Sequence, residues 1–284
     1  MNAALTSDRH GAGVDFDRIQ AHYDLGDDFY ALFLDESMTY SCGKFDLPET
    51  TLAEAQRAKI DLSLGKCELR PGMSLLDIGC GWGATAFRAA EQYGVNVTGL
   101  TLSQNQFDSA QRRALARGDV AFRLEGWETF DGHADRIVSI GAFEHFGHAK
   151  YEAFFDKCRQ ILPQDGVMLL HTITWGRPST DEAFFDFILF LATEIFPGGE
   201  LPEPETIVGL ARHGGFELAH AESLRPHYAR TLDCWTANLQ HNRDQAVGLV
   251  GPEMFDKYIR YLTGAAETFR TGEVNVYQFK FRVA

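Results

Sequence analysis

Two stretches of the sequence bring together residue types that can do chemistry. "LLDIGCGWG", 75–83, ends an apolar run at Asp77 and follows it with Gly79, Cys80, Gly81 and Gly83. Glycines so spaced permit a tight turn and let a ligand approach bare backbone. "SIGAFEHFGH", 139–148, sets Glu144, His145 and His148 among Phe143 and Phe146, just past a second apolar run. Burying an unpaired charge is costly. Glu144 therefore either points into water where a strand ends, with the rings filling a core, or is buried for a task. The spacing of these three groups matches no standard metal set, so no metal is expected, and His145 and His148 read as loop residues. His171, after "VMLL", and Tyr228 taken alone read as a hydrogen-bonded core histidine and a packing tyrosine.

The elements that must position these groups follow from hydrophobic pattern. Strands are expected at 74–79, 95–100, 120–126, 136–141 and 167–173, with helices near 82–93, 103–117 and 149–161 between them. Such alternation marks an α/β protein with a parallel, doubly wound sheet. Later strands are expected at 216–224 and 276–283, separated by a helical region containing "WTANLQHNRDQAV". Residues 15–67 mix helical periodicity with aromatics and carry no strong strand. No repeat, low-complexity tract or linker divides the chain, so 1–284 reads as one domain.

The glycine loop then sits at the C-terminal end of the first strand, where open α/β sheets bind ligands. Its spacing is G-x-G-x-G, with an acidic residue two positions before, and not G-x-G-x-x-G. It resembles motif I of S-adenosylmethionine-dependent methyltransferases more than a dinucleotide fingerprint, which leaves a nicotinamide enzyme as the lesser alternative. Both classes usually carry an acidic residue after the second strand, on the ribose hydroxyls. Here the chain has "GLTLSQNQ", offering Thr101, Ser103 and Gln106 instead.

Bulk properties narrow the field. A hydrophobic content of 45% and a charged content of 23% over 284 residues suit a folded domain with a sizeable core. A formal charge of -14 argues against phosphate-driven binding of nucleic acid, and the run Arg112, Arg113, Arg117 reads as a solvated helix face. Five scattered cysteines without a C-x-x-C pair point to a reducing compartment. The first residues lack the basic and apolar regions of a signal peptide, and no uninterrupted apolar span is present. A cytoplasmic protein is the expectation. "AFFDFILFLATEIF", 183–196, is apolar around nearly the whole helix. It suits a helix buried between sheet and cover, the wall of an aliphatic channel, or both. Peripheral membrane contact is kept as an expectation, although the basic face of an interfacial helix is missing.

"LLDIGCGWG", "GLTLSQNQ", "EGWETF", "DRIVSIGAFEHFGH", "MLLHTIT", "EIFPGGELP", "PHYARTLDCW" and "YLTGAAETFR", in this order, resemble the mycolic-acid cyclopropane synthases. These are relatives of the cyclopropane-fatty-acyl-phospholipid synthases. The resemblance begins near "IQAHYDLGDDFYALFLDESMTYSCGKF" and runs to the end. It implies a Rossmann-like, seven-stranded methyltransferase sheet over 68–284, with lid and acyl-channel insertions and a helical cover over 1–67. It implies methyl transfer from S-adenosylmethionine to a cis double bond of a long acyl chain, closing a cyclopropane. Cofactor contacts implied by position are Tyr40, Ser41, Asp77, Gly79, Cys80, Gly81, Gly83, Thr101, Leu102, Ser103, Gln106, Trp127 and Glu128. A bicarbonate ion beside the reacting centre would be held by the backbone of Cys42 and Ile140 and the side chains of Glu144, His171 and Tyr228. The implied partner is an unsaturated acyl lipid, presented on an acyl carrier.

The chemistry suits such a set. An alkene is a weak nucleophile that must be aligned with the methyl group and kept dry. The resulting carbocation is stabilised by ring faces and must lose a proton to a base. In this context Glu144 is expected to be buried in order to position that base. Apolar residues of the 183–196 helix, Phe184, Phe187, Ile188 and Leu191, are expected to wall the acyl tunnel.

The chain departs from the family pattern at Ala265, where members commonly read "YLTGC"; this excludes a thiol there. The stretch between His171 and Phe184 is several residues shorter than usual, and the extra N-terminal region of the phospholipid-acting enzymes is missing, which favours the mycolic subgroup or a divergent relative. Two other functions are weighed: a methyltransferase for a smaller acceptor, and a non-catalytic lipid-binding protein, against which intact Glu144, His171 and Tyr228 argue.

Overall fold

A computed structural model describes residues 25–284. The expected cover over residues 1–24, with the first part of the resembling block, lies outside the described residues. The described part of the cover begins with α1, Asp27–Ala31, and α2, Leu52–Lys66. The start of α2 is fixed by a reciprocal cap. Thr51 Oγ1 accepts from the Glu54 amide while Glu54 Oε2 accepts from the Thr51 amide. Lys59, Ser63 and Lys66 then fall at spacings of four and three, on one side of the helix.

All seven expected strands are present: β1 Ser74–Ile78, β2 Asn96–Thr101, β3 Val120–Leu124, β4 Arg136–Ile140, β5 Val167–Trp175, β6 Phe216–Ser223 and β7 Val274–Val283. They form one sheet in the order β3-β2-β1-β4-β5-β7-β6. The first five run parallel, and β7 is antiparallel to both β5 and β6, so the sheet is mixed and not parallel throughout. Central β5 is buried through Thr174 apart from partly exposed Ile173, as a strand covered on both faces must be. Edge strand β6 buries little beyond Phe216.

Helices α3, Ala84–Tyr93, α4, Gln104–Ala114, and α5, Tyr151–Ile161, connect the parallel strands. After β5 come α6, Glu182–Phe190, a π-helical turn, Leu191–Ile195, and α7, Pro204–His213. Between β6 and β7 stand α8, Arg225–His241, and α9, Arg243–Thr271, which is kinked at Gly251 and Pro252. Aromatics in and just after α1 join these two helices in one core: Phe29 meets Tyr258 edge-on at 4.9 Å, and Phe33 meets Trp235 at 6.2 Å. Among the described residues no helix is long and apolar enough to cross a membrane.

Candidate active site

Strand order reverses between β1 and β4, so the chain leaves their C-terminal ends in opposite directions and opens a cleft there. Gly79 and Gly81 shape its floor. Gly79 has φ +78°, and a side chain there would strike Ala142 in the loop after β4. Gly81 has φ +55° with nothing within 4 Å of an added Cβ, so its backbone faces open space. Asp77, Cys80, Leu102 and Trp127 line the same cleft.

Polar groups on the cleft are pre-set. Ser103 caps α4, and Thr101 Oγ1 donates to Gln106 Oε1 at 2.8 Å, leaving the amide able to offer Nε2 to a ligand. The Asp77 carboxyl is buried and its Oδ2 has no hydrogen-bond partner among the described residues. Burial pushes its pKa up to about 7, against the pull of Lys59. Trp127 Nε1 is likewise without a partner. A buried acceptor, a buried donor and bare backbone in one cleft fit a ligand carrying hydroxyl and amino groups, as S-adenosylmethionine does.

A second cavity, of about 350 Å³, adjoins the first. The two share Tyr40, Ser41, Gly141 and His145. Its walls are mostly apolar and include Ile188, Leu191, Phe196, Leu232, Ala265 and Phe269, a size and character suited to an aliphatic ligand. Glu144, His171, Tyr228 and Cys42 lie on the same wall.

The short helical turn Phe143–His145 explains how Glu144 comes to be there. Phe143 is fully buried and stacks on Tyr151 at 4.1 Å, and Phe146 packs on Trp127 and Phe154. These rings anchor the turn in the core while Glu144 lines the cavity. Its Oε1 accepts from the Ile173 amide at 2.6 Å and its Oε2 has no partner among the described residues. Burial lifts its pKa to about 7, opposed by that amide. His171 is held neutral, its pKa pushed well down by burial and then by Lys59 and Lys66. Burial also raises the Cys42 thiol far above its ordinary range, so it stays protonated at neutral pH. Tyr40 is caged by Tyr30 at 5.3 Å, Phe33 at 6.0 Å and Trp235 at 5.2 Å.

Several expected residues lie elsewhere. Gly83 caps the start of α3, where a side chain would strike the Phe122 ring, and is not on the cleft wall. Glu128 is also off the wall, paired with Lys150 at 2.9 Å, whereas its neighbours Glu125 and Gly126 are on it. Ile140 lines the glycine-floored cleft and not the apolar cavity, whereas its neighbour Gly141 reaches both. Of the four residues expected to wall a tunnel, only Ile188 and Leu191 do so. Phe184 packs on Trp175 of β5 and Phe187 turns inward against Gly264 of α9, while Phe185 and Leu189 of the same helix are exposed. His145, read as a loop residue, is a wall of both cavities, with its pKa pushed down to about 4 by burial.

Lys59 escaped the sequence reading. It is fully buried on the cleft, its Nζ donating to Ser41 Oγ at 2.8 Å, and burial brings its pKa down to about 8 against the pull of Cys42, Asp35 and Asp77. The surrounding "LAEAQRAKIDLSLGK" mixes polar and apolar residues around the helix, so pattern alone does not single it out.

A seven-stranded sheet of this order, with a glycine-floored cleft at its switch point, is the architecture of an S-adenosylmethionine-dependent methyltransferase. The model of the mycolic acid cyclopropane synthetase family matches residues 11–279, and the chain belongs to that family. Cyclopropane mycolic acid synthase 1 of Mycobacterium tuberculosis is 52% identical over 275 residues, 93% of this chain and 96% of the relative. The solved structure of the cyclopropane synthase MmaA2 from Mycobacterium tuberculosis superposes with a TM-score of 0.93 at 49% identity, covering 94% of this chain and 98% of that one. Mycolic acid cyclopropane synthase CmaA1, complexed with SAH and CTAB, gives a TM-score of 0.92 at 52% identity over the same shares. The chain is therefore an S-adenosylmethionine-dependent methyltransferase of the cyclopropane-synthase type.

Proposed function

We propose that this enzyme methylates a cis double bond in a long mycolic- or fatty-acid-type chain and closes a cyclopropane ring, with a bicarbonate ion beside Glu144 as the base. The carrying observation is the junction of a polar cleft and an apolar cavity at Tyr40, Ser41, Gly141 and His145, with Oε2 of Glu144, which has no partner among the described residues, on the apolar side. That a relative was solved with SAH and the long-chain detergent CTAB supports a cofactor and an aliphatic chain bound together.

When bound, S-adenosylmethionine supplies an electrophilic methyl group and bicarbonate a basic oxygen. The residues contribute the rest. Gly79, Gly81, Gln106 and Trp127 would hold the cofactor, and Asp77 would accept from one of its polar hydrogens. Ile188, Leu191 and Phe196 would exclude water from the acyl chain and hold the alkene in line. The ring of Tyr40, in its aromatic cage, offers electron density to positive charge that develops on the substrate carbons. Glu144, His171 and Tyr228, with the Cys42 backbone, would orient the base that takes the departing proton. The substrate would arrive on an acyl carrier, in the cytoplasm.

The test is to incubate the enzyme and S-adenosylmethionine with a panel of unsaturated lipids, free and carrier-bound, with and without bicarbonate. A gain of one methylene that depends on bicarbonate supports the proposal. A methyl plus a hydroxyl would mean that water captures the cation, and no lipid product at all would redirect the search to smaller acceptors.

A further inference from the structure

Gln278 on β7 touches neither cavity, yet it is fully buried and lies against His171. Its amide has one possible orientation. Lys66 Nζ approaches Oε1 at 2.6 Å, and an ammonium can only donate, so that atom is the oxygen. Nε2 therefore carries the two hydrogens. It lies 2.9 Å from Ser63 Oγ and 3.3 Å from His171 Nδ1. Ser63 spends its one hydroxyl hydrogen on the Lys59 carbonyl at 2.8 Å, so toward Gln278 it accepts. The remaining amide hydrogen points at His171 Nδ1, which must then accept as well. A neutral imidazole that accepts at Nδ1 carries its proton on Nε2.

We infer that Gln278, locked by Lys66 and Ser63, is a positioning residue that holds His171 as the Nε2–H tautomer, so that the ring presents a hydrogen-bond donor to the apolar cavity. The catalytic half of this inference rests on the proposed function, in which His171 faces the reacting centre; the tautomer itself does not. The charges of Lys59 and Lys66 of α2 act on the ring, Glu144 shares its cavity, and Glu222 of β6 accepts from Lys66 at 2.6 Å. With two cations near and no carboxylate bonded to Nδ1 among the described residues, the ring is held neutral. His171 therefore serves as a fixed donor to a lone pair, such as an oxygen of an anion, and not as the base. Sequence spacing could not reveal this, because Lys66, Ser63, His171 and Gln278 come from three separated elements that the sheet brings together.

The inference is tested on the whole enzyme labelled with ¹⁵N-histidine, with the His171 resonances assigned by comparison with His171→Gln. A protonated Nε2 and a bare Nδ1 in the unsubstituted enzyme are expected, and a protonated Nδ1 overturns the inference whatever the activity. That first measurement needs no variant of Gln278 to fold. In Gln278→Glu the carboxylate accepts where the amide donated, so the proton should move to Nδ1. Calorimetric affinity for S-adenosylmethionine should be unchanged, and turnover should fall at least about tenfold with little change in KM, as when an oriented histidine loses its partner. An unmoved proton in a folded Gln278→Glu enzyme also overturns the inference. A moved proton with full turnover leaves the hydrogen-bond relay standing and removes the role given to His171 in the proposed function.

Discussion

Replacing Glu144 with Gln should make the protein more stable and less active, and both effects follow from the same buried oxygen. The carboxyl is buried, accepts one amide hydrogen from Ile173 and leaves Oε2 without a partner among the described residues, so burial raises its pKa from the ordinary 4.5 to about 7. A carboxylate with a raised native pKa penalises the folded state once the unfolded chain ionises. Below about pH 4.5 both states are protonated and there is no penalty. The penalty grows from there and is complete above about pH 7. The span from 4.5 to about 7, at about 1.4 kcal/mol for each pH unit, comes to about 3 kcal/mol. Gln keeps the shape and never ionises. In urea titrations, Glu144→Gln should match the unsubstituted enzyme near pH 4.5 and exceed it by about 3 kcal/mol at pH 8. Turnover should meanwhile fall by roughly 10²–10⁴-fold, as on loss of positioned acid–base chemistry. A stability difference that stays flat from pH 4.5 to 8 would show that Glu144 ionises as freely in the fold as in water, and the argument from burial would fail.

Three further outcomes are expected. Gly81→Val places a branched side chain at φ +55° facing open space in the cleft, so calorimetry should show at least a tenfold loss of S-adenosylmethionine affinity; unchanged affinity would move the cofactor elsewhere. Ala265→Phe puts a ring into the apolar cavity, so activity on long acyl chains should drop far more than cofactor affinity, and equal activity on all chain lengths would detach this cavity from the substrate. Phe143→Ala removes a fully buried ring stacked on Tyr151 and should cost about 3–5 kcal/mol by denaturant unfolding; a cost under about 1 kcal/mol would mean that the turn carrying Glu144 is anchored by something else.

The strands were legible because each apolar run is bounded by turn residues and three of the four connections among the first five carry an amphipathic helix. Their direction was less so: "VYQFKFRV" has the same pattern read either way, and only the structure shows β7 running against β5. The glycine loop and "GLTLSQNQ" were legible as local motifs, and they fall on the cleft apart from Gly83, where a side chain would strike Phe122. Glu144 stood out because a charge between two phenylalanines demands a reason. The inward face of α6 did not, since a helix that is apolar all round gives no sign of its rotation, and Phe184 and Phe187 turn away while Ile188 and Leu191 line the cavity. Lys59 was hidden for the opposite reason, as one polar residue on a helix of mixed character. Gln278 becomes interpretable only when β7 is set beside β5 and α2.

The central claim is that methyl transfer to an alkene is followed by loss of a proton from the new methyl group. Supplying S-adenosylmethionine with a fully deuterated methyl group, together with a cis-unsaturated acyl substrate, and weighing the product by mass spectrometry tests it most directly. The account predicts a cyclopropane in which two of the three deuterons remain in the ring methylene and one is lost to solvent. A product that keeps all three, as a methyl branch or a methyl beside a hydroxyl, would contradict it.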